Sequence, residues 1–94
     1  MTDRKIEIYF NDWCPFSQRA LALLDKTGAA YDAIDVTDDP VRESEMVIRA
    51  GSTTVPQVFV DNTLIGGYTD LRRLQARGHL EATLGIGSGL QAAA

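Results

Sequence analysis

The residue with the clearest chemical potential is Cys14, the single cysteine in a chain of 94 residues. One thiol cannot form an internal disulfide, so Cys14 is either an inert packed side chain or a reactive group. It follows a strand-like stretch at residues 6–10 and precedes Pro15, which the first turn of a helix tolerates. Unpaired N–H groups and the helix dipole at such a position favour a thiolate. The position therefore favours nucleophilic chemistry without excluding a packing role.

A second motif, Thr54-Val55-Pro56, stands just before a further predicted strand at residues 58–60. Proline cannot donate a hydrogen bond to a sheet, so the beginning of this strand stays unpaired. If the Val55–Pro56 bond is cis, the N–H and C=O of Val55 turn outward and can pair with an extended peptide. The alternative is an ordinary proline at the entrance to a strand.

A third motif occupies residues 66–70, Gly-Gly-Tyr-Thr-Asp. Two glycines allow a tight turn into a helix, whose free N–H groups can bind a carboxylate. Asp70 in the first turn can hold an ammonium group, so the segment fits the head group of an α-amino acid. Simple capping of the helix by Thr69 and Asp70 would explain the same residues.

The hydrophobic pattern places these motifs on an α/β domain. It predicts strands at residues 6–10, 31–36, 58–60 and 64–65, helices at 15–27, 40–50 and 69–77, and one or two further helical turns at 80–84. The order β-α-β-α-β-β-α predicts a parallel pair joined by a right-handed crossover, then an antiparallel hairpin in the same four-stranded mixed sheet, flanked by helices. We expect one domain at residues 1–85 and a flexible C-terminal tail at 86–94.

Composition restricts the possible partners. The formal net charge of −4 predicts no basic surface for nucleic acid. No apolar run approaches the roughly 18 residues of a membrane helix, and the N-terminus lacks an apolar signal core. One cysteine and one histidine, far apart, predict no metal site. We expect a soluble cytoplasmic monomer, in a compartment where thiols stay reduced.

Together, Cys14-Pro15-Phe16-Ser17, Thr54-Val55-Pro56 and residues 66–70 resemble the glutaredoxins, which have the thioredoxin-like fold. The order and spacing of all three motifs match, over residues 6–84. The resemblance implies a glutathione-dependent thiol–disulfide oxidoreductase with Cys14 as catalytic nucleophile. It also implies a cis Val55–Pro56 bond and a glutathione site formed by Phe16, Thr54, Val55, Pro56, Gly67, Tyr68, Thr69 and Asp70.

Within this site, the resemblance implies that Val55 pairs with the glutathione backbone. The γ-glutamyl carboxylate would meet the N–H groups around Thr69 and Asp70, with the amine near the Asp70 carboxylate. The family usually has lysine three residues before the reactive cysteine, where this chain has Asn11. We therefore expect weaker stabilisation of the thiolate, with Arg42 as a possible substitute cation.

Ser17 stands where dithiol glutaredoxins have their resolving cysteine, and the sequence leaves open whether this serine is native. The resemblance then implies a monothiol cycle on glutathionylated proteins and small mixed disulfides. An alternative is a carrier of a 2Fe–2S cluster ligated by glutathione, although such members usually have glycine where this chain has Pro15. A third possibility is a redox-inert interaction module with a structural Cys14.

Overall fold

The computed structural model describes residues 4–86, and residues 87–94 of the predicted tail lie outside them. Within the described range the chain forms β1 (Ile6–Phe10), α1 (Pro15–Thr27), β2 (Asp32–Asp35), α2 (Pro40–Ala50), β3 (Gln57–Val60), β4 (Thr63–Gly66), α3 (Tyr68–Ala76) and α4 (Leu80–Leu84). The predicted order of elements is confirmed. Strand β2 is shorter than predicted by one residue at each end, and β4 is longer by one at each end.

The four strands form one mixed sheet in the order β2-β1-β3-β4. Strand β1 pairs in parallel with β2 and antiparallel with β3, and β3 pairs antiparallel with β4. Asp61 and Asn62 form the turn between β3 and β4 with φ of 50° and 67°. These two residue types tolerate the left-handed region that a tight hairpin requires. The predicted fold class is confirmed.

The side chains of the central strands point alternately to the two faces of the sheet, and a hydrophobic core lies on each face. On one face, Ile6 and Ile8 of β1 and Val58 of β3 lie in a buried cluster with residues of α1, α3 and α4. On the other face, Tyr9 and Phe59 pack with Met46 of α2. Successive side chains of a strand point to opposite faces, so β1 contributes to both cores. The central strand that leads to Cys14 is therefore held from both sides.

The core on the α2 face contains a charged network centred on Arg49. Its Nη2 lies 2.9 Å from Oε1 of Glu7, and its Nη1 donates to the hydroxyl of Tyr9 at 2.9 Å. The guanidinium carbon lies 4.1 Å from the centroid of the Phe59 ring. These contacts connect α2 to β1 and β3.

The loop between β1 and α1 is tied to the loop between β2 and α2. Asp12 N–H donates to Oγ1 of Thr37 at 3.0 Å, and the Thr37 hydroxyl lies 3.3 Å from Oδ1 of Asn11. The loop that carries Cys14 is thus anchored by hydrogen bonds from a neighbouring loop.

At the other end of the described chain, Ile86 packs against the core that includes α1, α3 and α4.

Candidate active site

Cys14 is the N-cap residue of α1, with Pro15 as the first helical residue. Its φ of −87° and ψ of 120° are extended, and its C=O accepts the N–H of Gln18 at 3.0 Å. The residue is partly exposed. Cys14 is therefore not sealed in the core.

The pKa of the Cys14 thiol lies below its ordinary value. Burial raises this pKa, but the backbone N–H and hydroxyl of Ser17, together with the backbone N–H of Phe16, lower it further than burial raises it. The sulfur makes no cap hydrogen bond of standard geometry. The electrostatic attraction between these donors and a thiolate does not require that geometry, so the donors stabilise the thiolate without a cap bond.

Among residues 4–86, no charged side chain contributes to the lowered pKa of Cys14. Asn11, at the position of the family lysine, is neutral. The guanidinium of Arg42 lies 3.1 Å from Oε1 of Glu45, with which it forms an ion pair. The structure therefore gives no support to Arg42 as the substitute cation, and neutral hydrogen-bond donors stabilise the thiolate instead.

Ser17 connects the thiol to the loop before it. Its side chain is fully buried, and its Oγ accepts the N–H of Asn11 at 3.2 Å. A hydroxyl can accept and donate at the same time, so this contact leaves the Ser17 proton available for the sulfur. Trp13, beside the cysteine, donates its backbone N–H to Oδ1 of Asn11 at 3.2 Å, and the residue is 72% exposed.

A groove beside the start of α1 brings the predicted binding residues together. It has a volume of about 310 Å³, near the lower end of the range for small-molecule sites. Cys14 does not line it, but Phe16, two residues later, does, and the Phe16 and Tyr68 rings lie 6.2 Å apart. The groove is lined by all eight residues predicted to bind glutathione and by two more: Phe16, Thr54, Val55, Pro56, Gln57, Gly66, Gly67, Tyr68, Thr69 and Asp70.

The wall of the groove before β3 carries free backbone groups. The Val55–Pro56 bond is cis, as the resemblance implies. Neither the N–H nor the C=O of Val55 has a hydrogen-bond partner within residues 4–86. An extended ligand can therefore pair with Val55 as an additional strand would.

The opposite wall is the N-terminus of α3. The N–H groups of Tyr68, Thr69 and Asp70 belong to its first turn and have no acceptor within the described residues. Oδ2 of Asp70 accepts the N–H of Gly67 at 2.9 Å, and its Oδ1 lies 3.1 Å from Nη1 of Arg73. Asp70 therefore caps the helix and forms an ion pair, while the three free N–H groups offer a site for a carboxylate.

Two residues of the groove, Gln57 and Gly66, were absent from the predicted site. Gln57 is 6% exposed, and its Nε2 donates to the C=O and to the hydroxyl of Thr54, both at 3.0 Å. A polar residue in the buried strand directly after Pro56 was a signal that could have identified it. Gly66 has a φ of +124°, and a Cβ there would overlap the Asp70 carboxylate.

Comparison with known proteins identifies the family. The family model for glutaredoxin matches residues 6–65. The chain is 42% identical over 79 residues to glutaredoxin 3 of Escherichia coli strain K12, covering 84% of this chain and 95% of the relative. The chain belongs to the glutaredoxin family. A glutaredoxin of Pseudomonas aeruginosa is 39% identical over 79 residues, covering 84% of this chain and 94% of the relative.

Solved glutaredoxin structures agree with this assignment. The solution structure of a glutaredoxin from Brucella melitensis is similar with a TM-score of 0.76 and 37% identity, over 88% of this chain and 90% of that one. The buckwheat glutaredoxin–glutathione complex has a TM-score of 0.75 and 24% identity, over 88% and 78% of the two chains, which shows the shared fold.

The chain is thus a glutaredoxin with one cysteine, and the family is one of thiol–disulfide oxidoreductases. Residues 4–86 contain no group of three or more His, Cys, Asp or Glu side chains that could hold a metal ion. Within the same range, no helix has the length and apolar character needed to cross a bilayer.

Proposed function

We propose that this glutaredoxin reduces glutathione mixed disulfides by a monothiol mechanism, with Cys14 as nucleophile. The observation that carries the proposal is the groove beside Cys14, which all eight predicted glutathione-binding residues line. Cys14, two residues before Phe16 of this groove, is partly exposed, and the pKa of its thiol is lowered. A thiolate is the form that attacks a disulfide.

The groove offers groups that complement each part of glutathione. The free N–H and C=O of Val55 suit the cysteinyl backbone of an extended tripeptide. The free N–H groups of residues 68–70 suit the γ-glutamyl carboxylate, and Asp70 suits its amine. Phe16 and Thr54 flank the tripeptide in this arrangement, and Phe16 packs without a hydroxyl to donate.

The reaction conserves atoms and electrons in two exchanges. The Cys14 thiolate attacks the glutathione sulfur of R–S–SG, which forms Cys14–S–SG and releases the thiolate of R, later protonated by solvent. The thiolate of a second glutathione then attacks the glutathione sulfur of that mixed disulfide. Oxidised glutathione leaves, and Cys14 is again a thiolate.

Ser17 excludes an internal disulfide, because a hydroxyl cannot resolve a mixed disulfide. The partners are therefore glutathione, glutathionylated proteins and small mixed disulfides, met by a monomer in the cytoplasm, where glutathione keeps thiols reduced. Nucleic acid, membrane and metal have no part in this function. No observation on this chain specifically favours the alternative of carrying a 2Fe–2S cluster.

Intact-mass measurement after mixing with oxidised glutathione tests the nucleophile. We expect one glutathione adduct on the reduced protein and none on Cys14→Ser. The wild type should turn over the mixed disulfide of glutathione and 2-mercaptoethanol, and Cys14→Ser should not. Both proteins should unfold at the same temperature, which excludes misfolding as the cause. An adduct on Cys14→Ser, or retained turnover, would show that Cys14 is not the nucleophile.

A further inference from the structure

A positively charged groove lies between the exposed faces of α1 and α3. Spacings of three, four and seven residues place side chains on one face of a helix, and both helices show them here. The basic groove, as we call it, is lined by Arg19, Lys26, Tyr68, Arg72 and Gln75, with Ala22 and Leu23. Three cations therefore line one surface of a protein whose net charge is −4.

The three cations of the basic groove lack acidic partners. Arg19, Lys26 and Arg72 have no carboxylate oxygen within 4 Å in the described part of the chain, whereas Arg42 and Arg73 each form an ion pair within their own helix. The positive charge of the groove is therefore available to an external anion.

Contacts with aromatic residues hold two of the three cations of the basic groove in place. The guanidinium carbon of Arg19 lies 5.4 Å from the centroid of the Phe16 ring. Nη1 of Arg72 donates to the Tyr68 hydroxyl at 3.2 Å. Such contacts restrict the motion of the long side chains, which reduces the entropy lost when a partner binds.

The basic groove adjoins the groove proposed for glutathione. Tyr68 lines both, and Phe16 lines the glutathione groove while it contacts Arg19. We propose that the basic groove binds an acidic segment of the glutathionylated protein substrates, next to the disulfide that Cys14 attacks. This inference rests on the proposed function, and it adds the class of protein substrate.

An acidic polypeptide fits this surface better than a nucleic acid does. The groove holds three cations, and a long phosphate backbone would also meet the protein's net negative charge. A short run of Asp or Glu matches the number of cations. Exposed pairs of this kind are individually weak and screened by salt, so their combined effect should be greatest at low ionic strength.

The test compares substrates that differ only in charge. Two glutathionylated peptides carry the same cysteine, flanked by glutamates in one and by lysines in the other. The mixed disulfide of glutathione and 2-mercaptoethanol is the third substrate. We expect the wild type to prefer the acidic peptide by roughly five- to twentyfold in kcat/KM at low salt. The preference should shrink as the salt concentration rises to about 0.1 M and beyond, because the screening length is then about 10 Å or less.

The variant for this test is Arg19→Glu with Arg72→Glu. It should lose or reverse the preference and retain turnover of the small disulfide. Arg42→Glu with Arg77→Glu is the matched control, since it changes the net charge by the same amount and neither of these exposed arginines lines the groove. The preference of this control variant for the acidic peptide should fall by less than twofold.

The outcomes separate this inference from the proposed function. No preference in the wild type, or equal losses in the groove variant and in the matched control, would overturn the acidic-substrate inference. If Arg19→Glu with Arg72→Glu lowered turnover of the small disulfide as much as turnover of the acidic peptide, the inference would also fail, because the effect would then lie in the reaction itself. Stronger inhibition by an oligonucleotide than by polyglutamate of equal charge would assign the groove to nucleic acid. Absence of wild-type turnover on the small disulfide would instead refute the proposed function.

Discussion

Ser17 lies one helical turn after Cys14 and acts on its sulfur through two donors, its backbone N–H and its hydroxyl. The same hydroxyl accepts the N–H of Asn11, so one buried side chain joins the loop before the thiol to the helix after it. In this glutaredoxin, the residue at the position of a resolving cysteine thus stabilises the attacking thiolate.

Removal of that hydroxyl should make Cys14 less reactive. Burial raises the pKa of Cys14, but the hydrogen-bond donors lower it by more. The thiolate therefore persists at a pH below the usual pKa of a thiol. In Ser17→Ala one of the opposing donors is lost, and the pKa rises. Alkylation by iodoacetamide should then decline at a higher pH than in the wild type, and its rate at pH 6 should fall by roughly three- to tenfold.

Thr37→Val is the control for Ser17→Ala. It removes a hydroxyl that contacts Asn11 and Asp12 of the same loop but does not act on the sulfur. Its alkylation profile against pH should match the wild type. A matching shift in both variants would show that the position of the loop, and not the Ser17 donor, determines the pKa.

The charge of Asp70 can be separated from its capping role. Asp70→Asn retains an oxygen for the Gly67 N–H but removes the charge proposed to meet the glutathione amine. We expect the KM for glutathione to rise by roughly two- to tenfold, since one partly exposed ion pair is lost, with little change in unfolding temperature. Asp70→Ala should raise the KM and also destabilise the protein by about 1 kcal/mol. An unchanged KM in Asp70→Asn would remove the proposed contact with the amine.

Gly66→Ala should damage the groove by displacing Asp70. Residue 66 has a φ of +124°, and its new Cβ would overlap the Asp70 carboxylate. We expect a loss of stability of about 2–3 kcal/mol and a higher KM for glutathione. Gly78→Ala is the control, because its φ of +74° is also positive while no atom lies within 4 Å of the added Cβ. It should cost about 1 kcal/mol and leave the KM unchanged. Similar effects of both variants would attribute the loss to backbone strain alone.

Arg49 should contribute more to stability than Arg42 does. Arg49→Met leaves the largely buried Glu7 carboxylate without its ion-pair partner and should reduce the free energy of unfolding by about 2 kcal/mol. Arg42→Met removes an exposed pair with Glu45 and should change it by less than about 0.5 kcal/mol. Urea unfolding measures both. Adding Glu7→Gln to Arg49→Met should recover part of the loss; a further loss would show that the ion pair is not the source of the effect.

Local patterns were sufficient for the order of the elements, and the resemblance to glutaredoxins named eight of the ten residues that line the groove proposed for glutathione. Pro15 and Gly28 delimit α1 as predicted, because proline suits the first turn and glycine the left-handed end of a helix. The residues predicted from three separate motifs line one groove, because the sheet order places the start of β3 beside the N-terminus of α3.

Contacts that depend on how loops and helices pack together were not predictable in the same way. The sequence identified Ser17 only as a missing cysteine, since its contact with Asn11 depends on how the loop folds back onto α1. Net charge predicted no basic surface, yet Arg19 and Arg72 line one groove between two helices that are far apart in the chain. A sum over all residues carries no information about where the charges lie.

Trp13 gives this glutaredoxin a built-in optical probe. It is the single tryptophan of the chain, its indole is largely exposed, and it is covalently adjacent to the reactive cysteine. Its emission therefore reports on the surroundings of the sulfur, without background from any other indole and without an attached dye.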